Sequence, residues 1–239
     1  MSNNYFQFKQ FTIQQDACAM KVGTDGVLLG AWCPVSPSDA VLDIGCGTGL
    51  IALMIAQRNA KTVDGVEIEP AAANQARQNT ANSPWGDKIN IIEADIRQFA
   101  TTASHRYDLI VCNPPYFIGS LKNSDPNRTL ARHADNLPFD ELLEAVRLLL
   151  NPNGRFCLIL PFEESKRLID EAIRQQLFLT HMVTVNTIAS SAKKRRVLLS
   201  FSLKPVDHSP VVEEQSIQSA AGGYSDWFQQ LTKSYYLFM

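Results

Sequence analysis

From residue 40 onward the chain alternates short apolar runs with amphipathic stretches, and this alternation limits the folds open to it more than any other feature. Residues 40–44 read as a buried strand, 45–49 as a glycine-rich loop and 50–58 as a helix. A second strand (62–68), a helix with Pro70 at its start (70–82), and strands at 89–92 and 107–112 follow. After a polar loop at 119–136, Pro138, Asp140, Glu141 and Gly154 bound another helix. A strand at 155–160, a helix at 163–177 and strands at 182–185 and 197–203 complete the pattern. Strand–helix alternation predicts an α/β fold: one doubly wound, mostly parallel, seven-stranded sheet with helices on both faces and the last strand antiparallel at one edge. Residues 205–223 read as a polar surface excursion, and the aromatic spacing in 224–239 as a docked terminal helix.

Composition narrows the setting. With 239 residues, 45% of them hydrophobic, the chain can bury a core without disulfides or metal. Cys18, Cys33, Cys46, Cys112 and Cys157 are odd in number, scattered and without a C-x-x-C pair, so neither a disulfide framework nor a metal site is expected. No run approaches the roughly 18 uncharged apolar residues of a membrane span. Residues 1–9 lack the layout of a signal peptide. A cytoplasmic protein without membrane contact is expected. The net charge of −2 argues against broad adhesion to nucleic acid, but a local basic run stands at Lys193, Lys194, Arg195 and Arg196.

The loop Asp43-Ile-Gly45-Cys-Gly47-Thr-Gly49 ends a strand and opens a helix, where open α/β sheets bind ligands. Its third glycine comes two residues after the second rather than three, which departs from the dinucleotide fingerprint. Asp43 would be a poor neighbour for a diphosphate and a good one for a cationic amino-acid group. This spacing resembles the first motif of class I S-adenosylmethionine-dependent methyltransferases. Glu67, ending the second strand, can accept both ribose hydroxyls. By the same resemblance, Asp95 after the third strand contacts the adenine amino group. The cofactor set so expected includes Asp43, Gly45, Gly47, Gly49, Glu67, Asp95 and Asn113.

Asn113-Pro114-Pro115-Tyr116 follows the fourth strand and resembles the [DNS]-P-P-[FYW] motif of amino methyltransferases. The nitrogen such enzymes modify is a weak nucleophile, because its lone pair is delocalised into a π system. The resemblance makes the Asn113 side-chain oxygen and the Pro114 carbonyl acceptors for its two N–H groups. The prolines stiffen the loop, and Tyr116 stacks on the planar acceptor.

Residues 6–13 alternate as a strand, and Lys21-Val-Gly-Thr24-Asp25 leads into a short helix. With the two central motifs and the terminal segment 231–237, these look like the bacterial tRNA1(Val) adenine-N6 methyltransferase family. That resemblance implies S-adenosylmethionine as cofactor, the adenine 3′ of the anticodon as substrate, and Thr24 and Asp25 near the methionine end of the cofactor. It also implies one methyltransferase domain over 1–239, with 1–39 covering the cofactor site and 40–239 as its core. Pro115, Tyr116, Arg128, Arg132 and Lys193 to Arg196 are the candidate contacts to the tRNA anticodon loop. A protein-glutamine or an rRNA guanine-N2 methyltransferase stays open as an alternative. An NAD-dependent oxidoreductase is disfavoured by the glycine spacing.

Overall fold

A computed structural model describes residues 3–114, 137–191 and 194–239. Its main sheet has eight strands: β3 (Ala40–Ile44), β4 (Thr62–Glu67), β5 (Ile89–Glu93), β6 (Tyr107–Cys112), β7 (Leu150–Pro161), β8 (Phe178–Ile188), β9 (Lys194–Ser202) and β10 (Val211–Gln218). They lie in the order β10-β8-β9-β7-β6-β3-β4-β5. The chain winds outward from β3 in both directions, to β4 and β5 on one side and to β6 and β7 on the other. Strand order therefore reverses between β3 and β6, and a crevice opens beyond their carboxyl ends.

The sequence pattern explains why both faces are covered. Val41 packs into one apolar cluster while Leu42 and Ile44 pack into the other, as the two-residue period of a strand requires. The first cluster holds α1 (Thr24–Trp32) and α2 (Leu50–Gln57), in which every residue from Leu50 to Ala56 is buried. A helix apolar all round must be enclosed. Here α1 closes over α2, with Gly30 so near Met54 that a Cβ would meet its sulfur at 2.9 Å. The second cluster is covered by α4 (Ile96–Thr102), α5 (Phe139–Leu149) and α6 (Phe162–Arg174). Helix α3 (Pro70–Ala81) lies next to β5.

Two features differ from the expected seven strands. Strand β9 is antiparallel as anticipated, but it sits inside the sheet, paired with both β7 and β8. The eighth strand, β10, lies in the segment read as a surface excursion and pairs parallel with β8 at the sheet edge. Its sequence, VVEEQSIQ, is polar because an edge strand leaves much of its surface in water.

At the amino end, β1 (Tyr5–Gln7) and β2 (Thr12–Gln14) form a separate antiparallel pair. Phe6, Phe8 and Tyr236 gather there in one aromatic group, and Phe8 stacks on Phe11 at 4.7 Å. The terminal helix α7 (Asp226–Thr232) is capped by Ser225 and docks through Phe228, with Tyr235 buried just beyond it. Among the described residues, no helix is long and apolar enough to cross a membrane.

Candidate active site at the strand ends

A cavity of about 1080 Å³ occupies the crevice beyond β3, β4, β5 and β6. Its lining joins segments that are distant in sequence: residues 18–26, the glycine loop, Glu67 to Glu69, Ala94 to Arg97, and Cys112 to Pro114. Of the expected cofactor set, Thr24, Asp25, Gly45, Gly47, Glu67, Asp95 and Asn113 all face this space.

The loop is shaped by backbone conformation. Gly45, Gly47 and Gly49 have φ of 68°, 54° and 79°, the left-handed region that side chains disfavour. The Gly45 and Cys46 N–H groups donate to the Val66 carbonyl, tying the loop to β4. A Cβ at Gly45 or Gly47 would meet nothing within 4 Å, so these two glycines border open space. Gly49 instead begins α2 and lies against Ala76, outside the lining.

Glu67 is nine-tenths buried, and its oxygens accept from the Gly47 N–H at 2.8 Å and the Glu69 N–H at 3.0 Å. Each carboxylate oxygen has a further lone pair for a ligand hydroxyl. Asp95 caps α4 by accepting from the Arg97 N–H at 2.9 Å and forms a close ion pair with the Arg97 guanidinium. That hydrogen-bonded pairing holds the Asp95 carboxyl below its ordinary range. Arg97 also reaches Glu141 of α5 at 3.0 Å.

Asp43 stands beneath the loop rather than in the lining. Its Oδ2 accepts from the Ala52 N–H at 3.1 Å, while Oδ1 is buried with no partner among the described residues. Burial pushes its pKa up to about 8, the Ala52 hydrogen bond opposes this, and Glu67 adds to it. A buried carboxyl oxygen without a partner, whose ionised form a neighbouring cation would favour, a loop bordered by open space and an acidic strand end fit a ligand carrying both cationic and hydroxyl groups. Burial raises Cys18 to about 11 and holds Cys46 well above its usual value, so these lining thiols stay protonated at neutral pH.

Asn113 and Pro114 directly follow β6 and line the same cavity as the loop. A Cβ on Gly26 would lie 3.9 Å from Asn113 Nδ2 and 3.1 Å from Leu50, which sets α1 close above the asparagine. Pro115, Tyr116, Arg128, Arg132 and Lys193 lie outside the described residues. Lys194 begins β9, and Arg195 and Arg196 line the cavity wall, with Arg196 Nε 2.5 Å from Asp25 Oδ2. Sequence reasoning overlooked Arg97, residues 18–20, Val185 and Thr187 of β8, and Ile217 of β10. For Arg97 a signal was available, since an N-cap carboxylate two residues before an arginine favours this local pair.

Residues 21–175 match the family described as "Methyltransferase small domain". A protein of Bacteroides fragilis (strain YCH46) named tRNA1(Val) (adenine(37)-N6)-methyltransferase is 47% identical over the full length of both chains. One of the same name from Yersinia enterocolitica is 44% identical, covering 97% of this chain and 92% of that one. In structure, a predicted O-methyltransferase from Agrobacterium tumefaciens superposes with a TM-score of 0.70 at 14% identity, covering 88% of this chain and 96% of that one. Ribosomal protein L11 methylase from Lactobacillus delbrueckii gives a TM-score of 0.58 at 16% identity, over 81% and 84%. The last two likenesses concern the fold. The sequence match and the full-length relatives make this chain a member of the methyltransferase small-domain family.

Proposed function

We propose that this protein transfers a methyl group from S-adenosylmethionine to N6 of an adenine in tRNA, the adenine 3′ of the anticodon in a valine tRNA. The observation that carries this reading is one cavity shared by the glycine loop, Glu67, Asp95 and the Asn113-Pro114 strand end. Full-length relatives at 42–47% identity are named for that reaction. The reading takes residues 1–239 as one methyltransferase domain working in the cytoplasm, with no metal in its chemistry.

The cofactor, when bound, supplies an electrophilic methyl group on a sulfonium centre. Glu67 would hold its ribose and Asp95 its adenine, with Thr24 and Asp25 at the methionine end. On the substrate side, Asn113 Oδ1 and the Pro114 carbonyl accept from the two N–H groups of the base. Those contacts draw the nitrogen lone pair out of conjugation and offset the positive charge that grows on it. Tyr116 stacks on the base, and the basic residues Arg128, Arg132 and Lys193 to Arg196 hold phosphates beside it. Holding both reactants in line can account for much of the rate, since well-oriented groups reach effective molarities of roughly 10⁵–10⁸ M.

The test is nucleoside analysis of purified valine tRNA from cells with and without the gene, followed by restoration in vitro with protein and S-adenosylmethionine. N6-methyladenosine next to the anticodon is expected to vanish and return. Intact tRNA methylation with undermethylated rRNA or release factor would reject the substrate.

A further inference from the structure

The wall of the cavity formed by residues 18–22 belongs to a segment that makes neither strand nor helix from Gln15 to Gly23. A chain without regular pairing must satisfy its backbone polar groups some other way. Here side-chain amides do so, and two of them come from α3. Gln75 and Asn79 are four residues apart and so share one helix face. Both are almost fully buried, at 3% and 2% exposure.

Asn79 acts as a substitute peptide unit. Its Oδ1 accepts from the Gln14 N–H, and its Nδ2 donates to the Gln14 carbonyl, each at 2.9 Å. The same Nδ2 donates to the Thr48 carbonyl in the glycine loop, also at 2.9 Å. One side chain thus makes three hydrogen bonds, using its acceptor and both donors. Gln75 accepts from the Ala17 N–H at 3.1 Å and donates to Asp16 at 2.7 Å. Further on, Gln15 turns back to accept from the Val22 N–H at 2.8 Å. The segment is therefore fastened at both ends, and Asn79 joins it directly to the loop.

We propose that Asn79 and Gln75 are positioning residues that fasten residues 14–22 as a strap against the glycine loop, so that the strap forms a fixed wall of the cofactor site. Neither amide lines the cavity; each acts through the backbone it holds. The inference rests on the reading that this cavity takes S-adenosylmethionine. The strap is preformed by these contacts, and losing them adds an ordering cost to ligand binding.

The test uses the full-length chain, with calorimetric titration of S-adenosylhomocysteine, steady-state methylation and brief trypsin digestion. Asn79→Asp keeps the acceptor toward Gln14 and loses both donors. It is expected to raise the Kd about tenfold, about 1.4 kcal/mol. The KM for S-adenosylmethionine is expected to rise with it, while kcat changes by about twofold or less. Trypsin is expected to cut faster after the exposed Lys21, and bound S-adenosylhomocysteine to slow that cut. Gln75→Leu, which leaves the Thr48 contact in place, gives the same readings in the same direction and serves if Asn79→Asp does not fold. Leu168→Ala, in the opposite core, provides a variant with lowered Tm, full affinity and unchanged cutting at Lys21. Wild-type affinity and wild-type cutting in both amide variants overturn the strap; so does an equal loss of affinity in Leu168→Ala. Failure of the wild-type protein to bind S-adenosylhomocysteine overturns the cofactor reading itself, a separate and recognisable result.

Discussion

Arg196, at the start of β9, places its Nε 2.5 Å from the Asp25 carboxylate in the first turn of α1. Two residues named for different ligands thus hold each other across the cavity wall. Arg196 was expected among the contacts to RNA and Asp25 among those to the cofactor. Their side chains are only 35% and 20% exposed, so screening by water is weaker than for a surface pair. Arg195, next to it, is exposed.

The adjacent arginines are therefore expected to separate in experiment. Arg195→Ala should weaken tRNA binding and reduce its salt dependence by about 0.7 log units per log unit of salt, the value for one phosphate contact on a single strand. Arg196→Ala should also weaken S-adenosylhomocysteine several-fold, by freeing Asp25 and the start of α1. Filter binding across a salt series, beside calorimetry with the cofactor product, checks both. Equal effects of the two variants on S-adenosylhomocysteine affinity would remove the distinction.

Asn113 offers the sharpest catalytic prediction. If its oxygen accepts from the reacting amino group, Asn113→Ala should lower the single-turnover rate about a hundredfold or more, on the scale of one preorganised polar contact. The expected loss lies in the chemical step and persists at saturating tRNA and S-adenosylmethionine. A rate within a few-fold of wild type would remove Asn113 from the reaction.

Gly47 tests the loop. Its φ of 54° is unfavourable for a side chain, yet a Cβ there would touch nothing within 4 Å. Gly47→Ala should therefore cost about 1–2 kcal/mol from backbone conformation alone, with no clash to relieve. Because the Gly47 N–H also donates to Glu67, S-adenosylhomocysteine affinity should fall with the unfolding midpoint. Denaturant titration with and without that ligand separates the two effects. Unchanged stability would show that the loop relaxes without cost.

What could be read from the sequence follows from how each element meets water. Strands β3, β4 and β6 are covered on both faces, so their apolar runs stand out, and the glycine loop and Asn113 inherit their positions from β3 and β6. Strand β10 is hidden because Val211 and Val212 are exposed at an edge and the rest of the strand is mostly polar. Strand β9 starts three residues before its apolar run, because Lys194 and Arg196 still pair with β8 on either side of a register shift at Arg195. Helix α4 is only seven residues long, and its one clear signal, the Asp95 cap, is also the expected adenine contact. Gln75 and Asn79 escape notice for another reason. On a polar helix, an amide that holds a distant backbone segment looks the same in sequence as one facing solvent.

Asp43 ties stability to pH. Its folded-state pKa of about 8 lies above the ordinary 3.8, because burial disfavours the charged form more than the Ala52 hydrogen bond favours it. The folded protein therefore keeps a proton that the unfolded chain releases, and stability falls as pH rises between about 4 and 8. Above that window the contribution levels off, since both states are then ionised. Asp43→Asn removes the titration, so its unfolding midpoint should change less between pH 5 and 8 than that of the wild type. Saturating S-adenosylhomocysteine, whose ammonium group favours an ionised carboxylate nearby, should flatten the wild-type slope as well. Parallel pH profiles for wild type and Asp43→Asn would show that Asp43 is already ionised in the folded protein, with its orphaned Oδ1 satisfied by water.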